Sequence, residues 1–230
     1  MEFLRRLQSN PKFPAIIATL SYSLLTLCSA GGLLYYYTQI VNNEFNHWPL
    51  IAYLLMLANG LTGYTEFFDE DSFCPLRDLL DYCQVVLVLP CYAAELWTKS
   101  EMGPAEVAYV HAGLGFLAAA MFVVTEFRRQ DLTDLAIFTN GFSTFGVGIL
   151  SKNPLAFLAG LCFFLGYYWY KRSEDQCCLA PQDKFNFIMA LFAIISVLSF
   201  DQNVVESIQS LIPEGLFASE SESSPWSLNK

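Results

Sequence analysis

The residues with the most chemical reach lie in one apolar stretch, RDLLDYCQVVLVLPCYAAELW, from Arg77 to Trp97, which carries Asp78, Asp81, Gln84 and Glu95. At about 100° per residue, Asp81, Gln84, Val88, Cys91, Tyr92 and Glu95 share one side of a helix, and Leu79, Leu80, Val86, Leu87 and Trp97 share the other. Carboxylates among hydrocarbon are costly unless they face a protein interior or water. Such groups move protons, hold an ion or grip a lipid headgroup. The plainer alternative makes them caps, since each acid is close to a segment end and helix N-termini favour Asp78 and Asp81.

Neighbouring apolar stretches offer partners for that stripe. Asn59, Thr62 and Glu66 recur at i, i+3 and i+7, Asn140, Ser143 and Thr144 share another face, and Glu106 and His111 stand together in a further stretch. They line a cavity, or they hydrogen-bond between close-packed helices, which Gly60, Gly63, Gly141, Gly146, Ala156 and Gly160 permit. Histidine is scarce: the chain has His47 and His111 and no others. A catalytic zinc wants three protein ligands and an open position, so neither a metal nor any other cofactor is expected. Ser/His/Asp chemistry on His111 has no motif behind it. Asp69, Glu70 and Asp71 lack the Gly and the final Glu of a calcium loop and read as a solvated turn.

Cys28, Cys83, Cys91 and Cys162 fall inside apolar segments, which is not a disulfide pattern. Cys177 and Cys178 follow Lys171 and Arg172 and have the placement of reversible palmitoylation; an unmodified pair fits equally.

The elements that must position these residues are long and apolar. Segments at 13–38, 48–68, 77–97, 104–127, 132–150, 154–170 and 185–200 are separated by short polar or Pro-containing breakers, which predicts seven transmembrane helices packed as one all-α bundle over 1–212. The stretch after Phe200 either extends the last helix or lies in the membrane interface. Residues 213–230, rich in Ser and Glu, are expected to be disordered. Of 230 residues, 54% are hydrophobic and 15% charged, with mean hydropathy +0.39, values typical of a polytopic membrane protein. A formal net charge of −10, with no concentrated run of Lys and Arg in the sequence, argues against nucleic acid as a partner. The first apolar run exceeds a signal-peptide core and is expected to stay as an anchor.

Nine of the twelve basic residues fall on one side of such a bundle, which places the N-terminus in the cytosol and the C-terminus in the lumen or outside the cell. Tyr35, Tyr36, Tyr37, Trp48, Trp97, Tyr167, Tyr168, Trp169 and Tyr170 stand where aromatic belts are expected.

The run FFDEDSFCPLRDLLDYCQVVLVLPCYAAELW is similar to the corresponding region of the CREST superfamily of seven-helix membrane proteins, which includes myomaker, adiponectin receptors and alkaline ceramidases. With KNPLAFLAGLCFFLGYYWYKR and KFNFIMALFAIISVLSFDQN, it resembles the uncharacterised transmembrane protein 187 family more closely. The resemblance implies seven helices and, for the receptor-like branch, an inside N-terminus. In the hydrolase branch it also implies a zinc held by histidines of the second and seventh helices, with an acid on the third. Asp78 or Asp81 matches that acid, while segments two and seven contain no histidine. The expectation is a non-enzymatic multi-pass protein of the endomembrane system or plasma membrane, acting on lipid or on a membrane-protein partner. A lipid hydrolase with a degenerate site, or a small transporter or channel using the polar face of the third helix, are the alternatives.

Overall fold

Each apolar segment folds as a helix because backbone N–H and C=O groups surrounded by hydrocarbon have no partner but one another. A computed structural model describes residues 12–41, 47–67, 74–100, 104, 106–172 and 180–211. Among these the α-helices are α1 (Lys12–Val41), α2 (His47–Thr62), α3 (Cys74–Ser100), α4 (Glu106–Thr125), α5 (Gln130–Leu150), α6 (Pro154–Arg172), α7 (Pro181–Leu198) and α8 (Gln202–Gln209), with a 3-10 turn at Gly63–Phe67. The expected Ser/Glu tail lies outside the described residues.

The molecule is an all-α bundle. Consecutive long helices pack as neighbours, α1 closes on α7, and α3 also touches α5 and α6, so α3 runs through the interior. Every residue from Asp81 to Leu96 is buried. This corrects the two-sided reading of α3: Val86 and Leu87, assigned to its apolar side, are as buried as Val88 and Gln84, because helices cover both faces.

Local chemistry sets the boundaries. Pro181 opens α7 four residues before the expected start at Phe185, as its missing N–H is an orphan in any first turn. Asn153 caps α6, its Oδ1 accepting from the Ala156 N–H at 3.0 Å, and its Nδ2 donates to the Ser199 carbonyl at 2.8 Å. The chain then breaks at Ser199–Asp201, and Asp201 caps α8, accepting from Asn203 and Val204. Helix α8 is therefore separate from α7. It folds back with Val204, Val205 and Ile208 against the core, and Gln209 hydrogen-bonds the Lys152 carbonyl.

Pro90 sits inside α3 and removes the N–H that would meet the Val86 carbonyl. Gly115 of α4 lies against that carbonyl, and a Cβ there would be 2.9 Å from Pro90 Cγ. Only glycine lets α4 come this close.

Four helical stretches are long and apolar enough to cross a membrane: Pro14–Thr38, Cys74–Ser100, Glu106–Thr125 and Pro181–Leu198. The others are shorter or more polar at one end: α2 has 16 residues, α5 opens on Gln130 and Asp131, and α6 closes on Lys171 and Arg172. The expected aromatic belts divide. Tyr37 and Trp169 are exposed, whereas Tyr36 and Tyr167 turn inward.

Candidate functional site

The polar residues of the interior resolve into three clusters around α3 rather than one lined stripe. The first joins α1, α2, α3 and α7. Asp81 Oδ1 accepts from Gln182 Nε2 at 2.7 Å, and Arg77 stands 3.8 Å from Oδ2, one turn back on α3. Gln182 also faces Asn186 Oδ1 at 3.4 Å. Asn59 Nδ2 donates to Gln84 Oε1, and the Asn59 amide lies beside the Asp81 carboxylate. Ser21 of α1 donates to Asp183 Oδ1 at 2.8 Å. Asn59, Gln84 and Asn186 are each 0% exposed, yet Asn59 Oδ1, Gln84 Nε2 and Asn186 Nδ2 have no hydrogen-bond partner among the described residues. A buried amide left this way carries its full desolvation penalty unless water or a ligand meets it.

The second cluster lies toward the other end of α3. Glu95 is 1% exposed and its partner is Lys99, 3.8 Å away, whose ammonium lies 5.0 Å from the centre of the Phe200 ring. Glu95 Oε1 and the Tyr36 hydroxyl have no hydrogen-bond partner among the described residues. Tyr53 pairs with Ser196 at 2.5 Å and Tyr92 with Ser199 at 2.8 Å, tying α2 and α3 to α7. A cavity of about 330 Å³ opens beside Lys99, Ser199 and Phe200.

The third cluster links α3, α4 and α5, and its proton positions follow from the donors. Trp97 Nε1 can only donate, and it reaches Ser143 Oγ at 2.6 Å. The Ser143 hydrogen is thereby left for His111 Nε2 at 3.0 Å, and His111 Nδ1–H donates to Asn140 Oδ1 at 2.9 Å. Asn140 Nδ2 ends the chain on the Ala136 carbonyl at 2.7 Å, which fixes the orientation of that amide. Trp97 stacks on the imidazole with ring centroids 6.0 Å apart.

A hydroxyl on an imidazole oriented by an amide is the skeleton of nucleophilic catalysis. Here, however, Ser143 lies inside α5, so the surrounding backbone N–H groups are spent within the helix and form no oxyanion hole. The Trp97 N–H also occupies the hydroxyl oxygen. The arrangement is a lock between three helices.

Of the other expected site residues, Asp78 is exposed and lies 3.6 Å from Arg128. Thr62 bonds back to the Asn59 carbonyl of its own helix at 3.1 Å. The Glu66 side chain, Cys177 and Cys178 lie outside the described residues. Gln182 and Asp183 escape the sequence reading because their stretch reads as loop, and Asn186, inside the expected 185–200 helix, is not singled out there. Pro181, read as a helix opener, puts Gln182 and Asn186 one turn apart on one face.

The donor set does not suit the zinc that the resemblance implies. The acid on the third helix meets amides from the second and seventh, where that site needs imidazoles, and the Gln182 N–H already fills the space before Asp81 Oδ1. Among the described residues, no group of three His, Cys, Asp or Glu is placed to hold a metal.

Fold and site together define a helical bundle with four membrane-span candidates and an amide-rich polar interior. No known protein-family description, curated protein sequence or solved structure matches the chain.

Proposed function

We propose that the chain is a seven-span integral membrane protein, N-terminus in the cytosol and C-terminus across the membrane, that works by binding lipid or another membrane protein rather than by catalysis. One observation carries this: the bundle hides amide side chains in its core and leaves large apolar side chains on its outside. Val124 is 80% exposed and Leu27, Leu34, Phe142 and Leu150 are also exposed, whereas Asn59, Gln84, Asn140 and Asn186 are 0% exposed. In water that distribution would leave large apolar patches; in lipid it is the stable one.

Helices α2, α5 and α6 complete the seven spans, α2 with the help of its 3-10 extension to Phe67. The meeting of Asn59, Asp81, Gln182 and Asn186 on the second, third and seventh helices supports kinship with the CREST architecture, with amides in place of imidazoles. Binding is favoured over hydrolysis because the Asp81 carboxylate is engaged by an amide and His111 is bonded at both nitrogens.

Alkaline carbonate washing of membranes tests the first half, with the protein expected in the pellet. Glycosylation tags at the C-terminus should be modified and tags beside Cys178 should not; the reverse overturns the orientation. Incubated with ceramide or phospholipid, the purified protein should release no fatty acid. Release abolished by Asp81→Asn would instead establish the hydrolase. A second reading as a transporter rests on the buried Glu95 carboxylate, whose Oε1 has Lys99 3.8 Å away but no hydrogen bond among the described residues, and ion flux in proteoliposomes that vanishes with Glu95→Gln would establish it. Acyl-exchange labelling that disappears when Cys177 and Cys178 are both changed to Ser would assign palmitoylation there.

A further inference from the structure

One end of the bundle gathers Arg77, Arg128, Arg129, Lys171, Arg172 and Lys184, the side assigned to the cytosol. A cavity of about 350 Å³ opens there between α3, the α4–α5 turn, α5 and α6, walled by Tyr82, Arg128, Gln130, Thr133, Tyr167 and Lys171 among others. We infer that this pocket binds the phosphate of an anionic phospholipid headgroup, with Arg128 and Lys171 as its two cationic walls. The inference rests on the membrane reading above and names the lipid chemistry that reading leaves open.

The charge arrangement is the main argument. Two cations and no carboxylate line the cavity. Each cation has an acid beside it that is outside the lining. Lys171 Nζ lies 2.6 and 2.8 Å from the two oxygens of Asp134, which also accepts from Tyr167 at 2.6 Å and from Gln130 at 3.2 Å. Arg128 lies 3.6 Å from the Asp78 carboxylate and donates to the Asp78 carbonyl at 3.3 Å, both long for a charge-assisted bond. Its guanidinium is held 5.7 Å from the ring centre of Tyr82 and 5.8 Å from that of Phe122, so the fork is positioned without being consumed.

The side chains of Arg128 and Lys171 are 42% and 39% exposed, open to a ligand from the interface. The remaining wall supplies hydroxyls: Tyr82 and Thr133 share a hydrogen bond at 3.0 Å, and Tyr167 takes one from Gln130 at 2.7 Å.

Size and position favour a lipid source. At about 30 Å³ per water, the cavity has room for roughly a dozen waters, hence for a phosphate and the glycerol carbon that bears it. Leu135 and Phe138 on α5, and Leu165 and Trp169 on α6, are exposed one or two turns along the same helices, where acyl chains would lie. Anionic lipids are concentrated in the cytosolic leaflet, and basic pockets between transmembrane helices on that side take their headgroups.

The test uses the full chain purified in detergent, with bound lipid read by native mass spectrometry after addition of phosphatidic acid or phosphatidylcholine. Retention of phosphatidic acid should exceed that of phosphatidylcholine about tenfold, and Arg128→Gln and Lys171→Gln should each reduce it about tenfold, the scale of one charge-assisted hydrogen bond. Arg129→Gln removes an equal charge nearby, one paired with Asp131 and outside the lining, and should leave retention unchanged.

Inorganic phosphate should not displace the lipid; displacement with equal protection of the fold would reassign the pocket to free phosphate and overturn the lipid source. Equal retention of the two lipids, or a preference insensitive to both pocket variants, would overturn the site itself. Helix content by circular dichroism separates a lost site from a lost fold, and for a variant that unfolds, Arg128→Lys or Lys171→Arg keeps the charge and should keep the lipid. A protein that stays in carbonate-washed membranes yet shows no preference refutes this inference alone, whereas a protein released by the wash refutes the membrane reading.

Discussion

The lock of Trp97, Ser143, His111 and Asn140 and the nest of Asn59, Gln84, Asp81, Gln182 and Asn186 are both built on α3 and largely withdrawn from solvent, but only in the lock does every side-chain nitrogen and oxygen have a partner. Its hydrogen bonds run one way and end on a backbone carbonyl. The nest holds more amide groups than partners. Whichever way the two amides are turned, the Asn59–Gln84 pair spends one N–H and one C=O and leaves another of each unmet. A fully used chain fixes helix positions, whereas residual capacity in a buried nest is where water or a polar headgroup can be accepted.

The largest effect is therefore expected in the lock. His111→Leu keeps bulk but strands the Ser143 hydroxyl and the Asn140 carbonyl, and should cost about 2 to 3 kcal/mol, since each buried unmet group costs about 1 to 3 kcal/mol. Equilibrium unfolding in mixed micelles measures it. A loss below about 0.5 kcal/mol, the range of an ordinary surface change, would mean that the chain locks nothing.

The nest should answer differently. Asn59→Leu alone abandons Gln84 and should cost about 1 to 2 kcal/mol, whereas Asn59→Leu with Gln84→Leu removes both partners and should recover most of the loss. If the double variant costs the sum of the singles, the pair has no special coupling, the nest behaves like the lock and the contrast collapses.

Much of this arrangement was legible in the sequence. The polar residues of α3 marked it as the helix others must surround, and the breakers between apolar runs placed all seven long helices. Two physical facts hid the rest. Periodicity reports which side of a helix is polar, not which neighbour each polar residue meets, so Asp81, Glu95 and His111 could not be told apart as members of separate clusters. The second is that Gln182 lies in a polar, cysteine-containing run that reads as loop, so α7 seemed to begin at Phe185 and the Gln182 bond to Asp81 was invisible. The Pro181 start signal was present; the hydropathy around it outweighed it.

The smallest effect belongs to an ion pair that neither cluster touches. Arg129 grips Asp131 with two hydrogen bonds, of 3.1 and 2.7 Å, at the exposed start of α5, and these bonds hold the Asp131 carboxyl below its ordinary range. A carboxyl depressed in the folded state stabilises above its unfolded pKa of about 3.9 and loses that contribution as pH falls through the lower folded value. Asp131→Asn should accordingly lower the melting temperature slightly at neutral pH and not at all once both states are protonated. Because the pair stands in water, the shift should also shrink with added salt. The hydrogen bonds of the lock, and the Asn59–Gln84 bond of the nest, join neutral groups and should respond little to salt, although the nest also holds the Asp81 carboxylate. A salt-sensitive His111→Leu effect would therefore place charge inside the lock, and the distinction between satisfied and unsatisfied amides would no longer account for the difference between the two clusters.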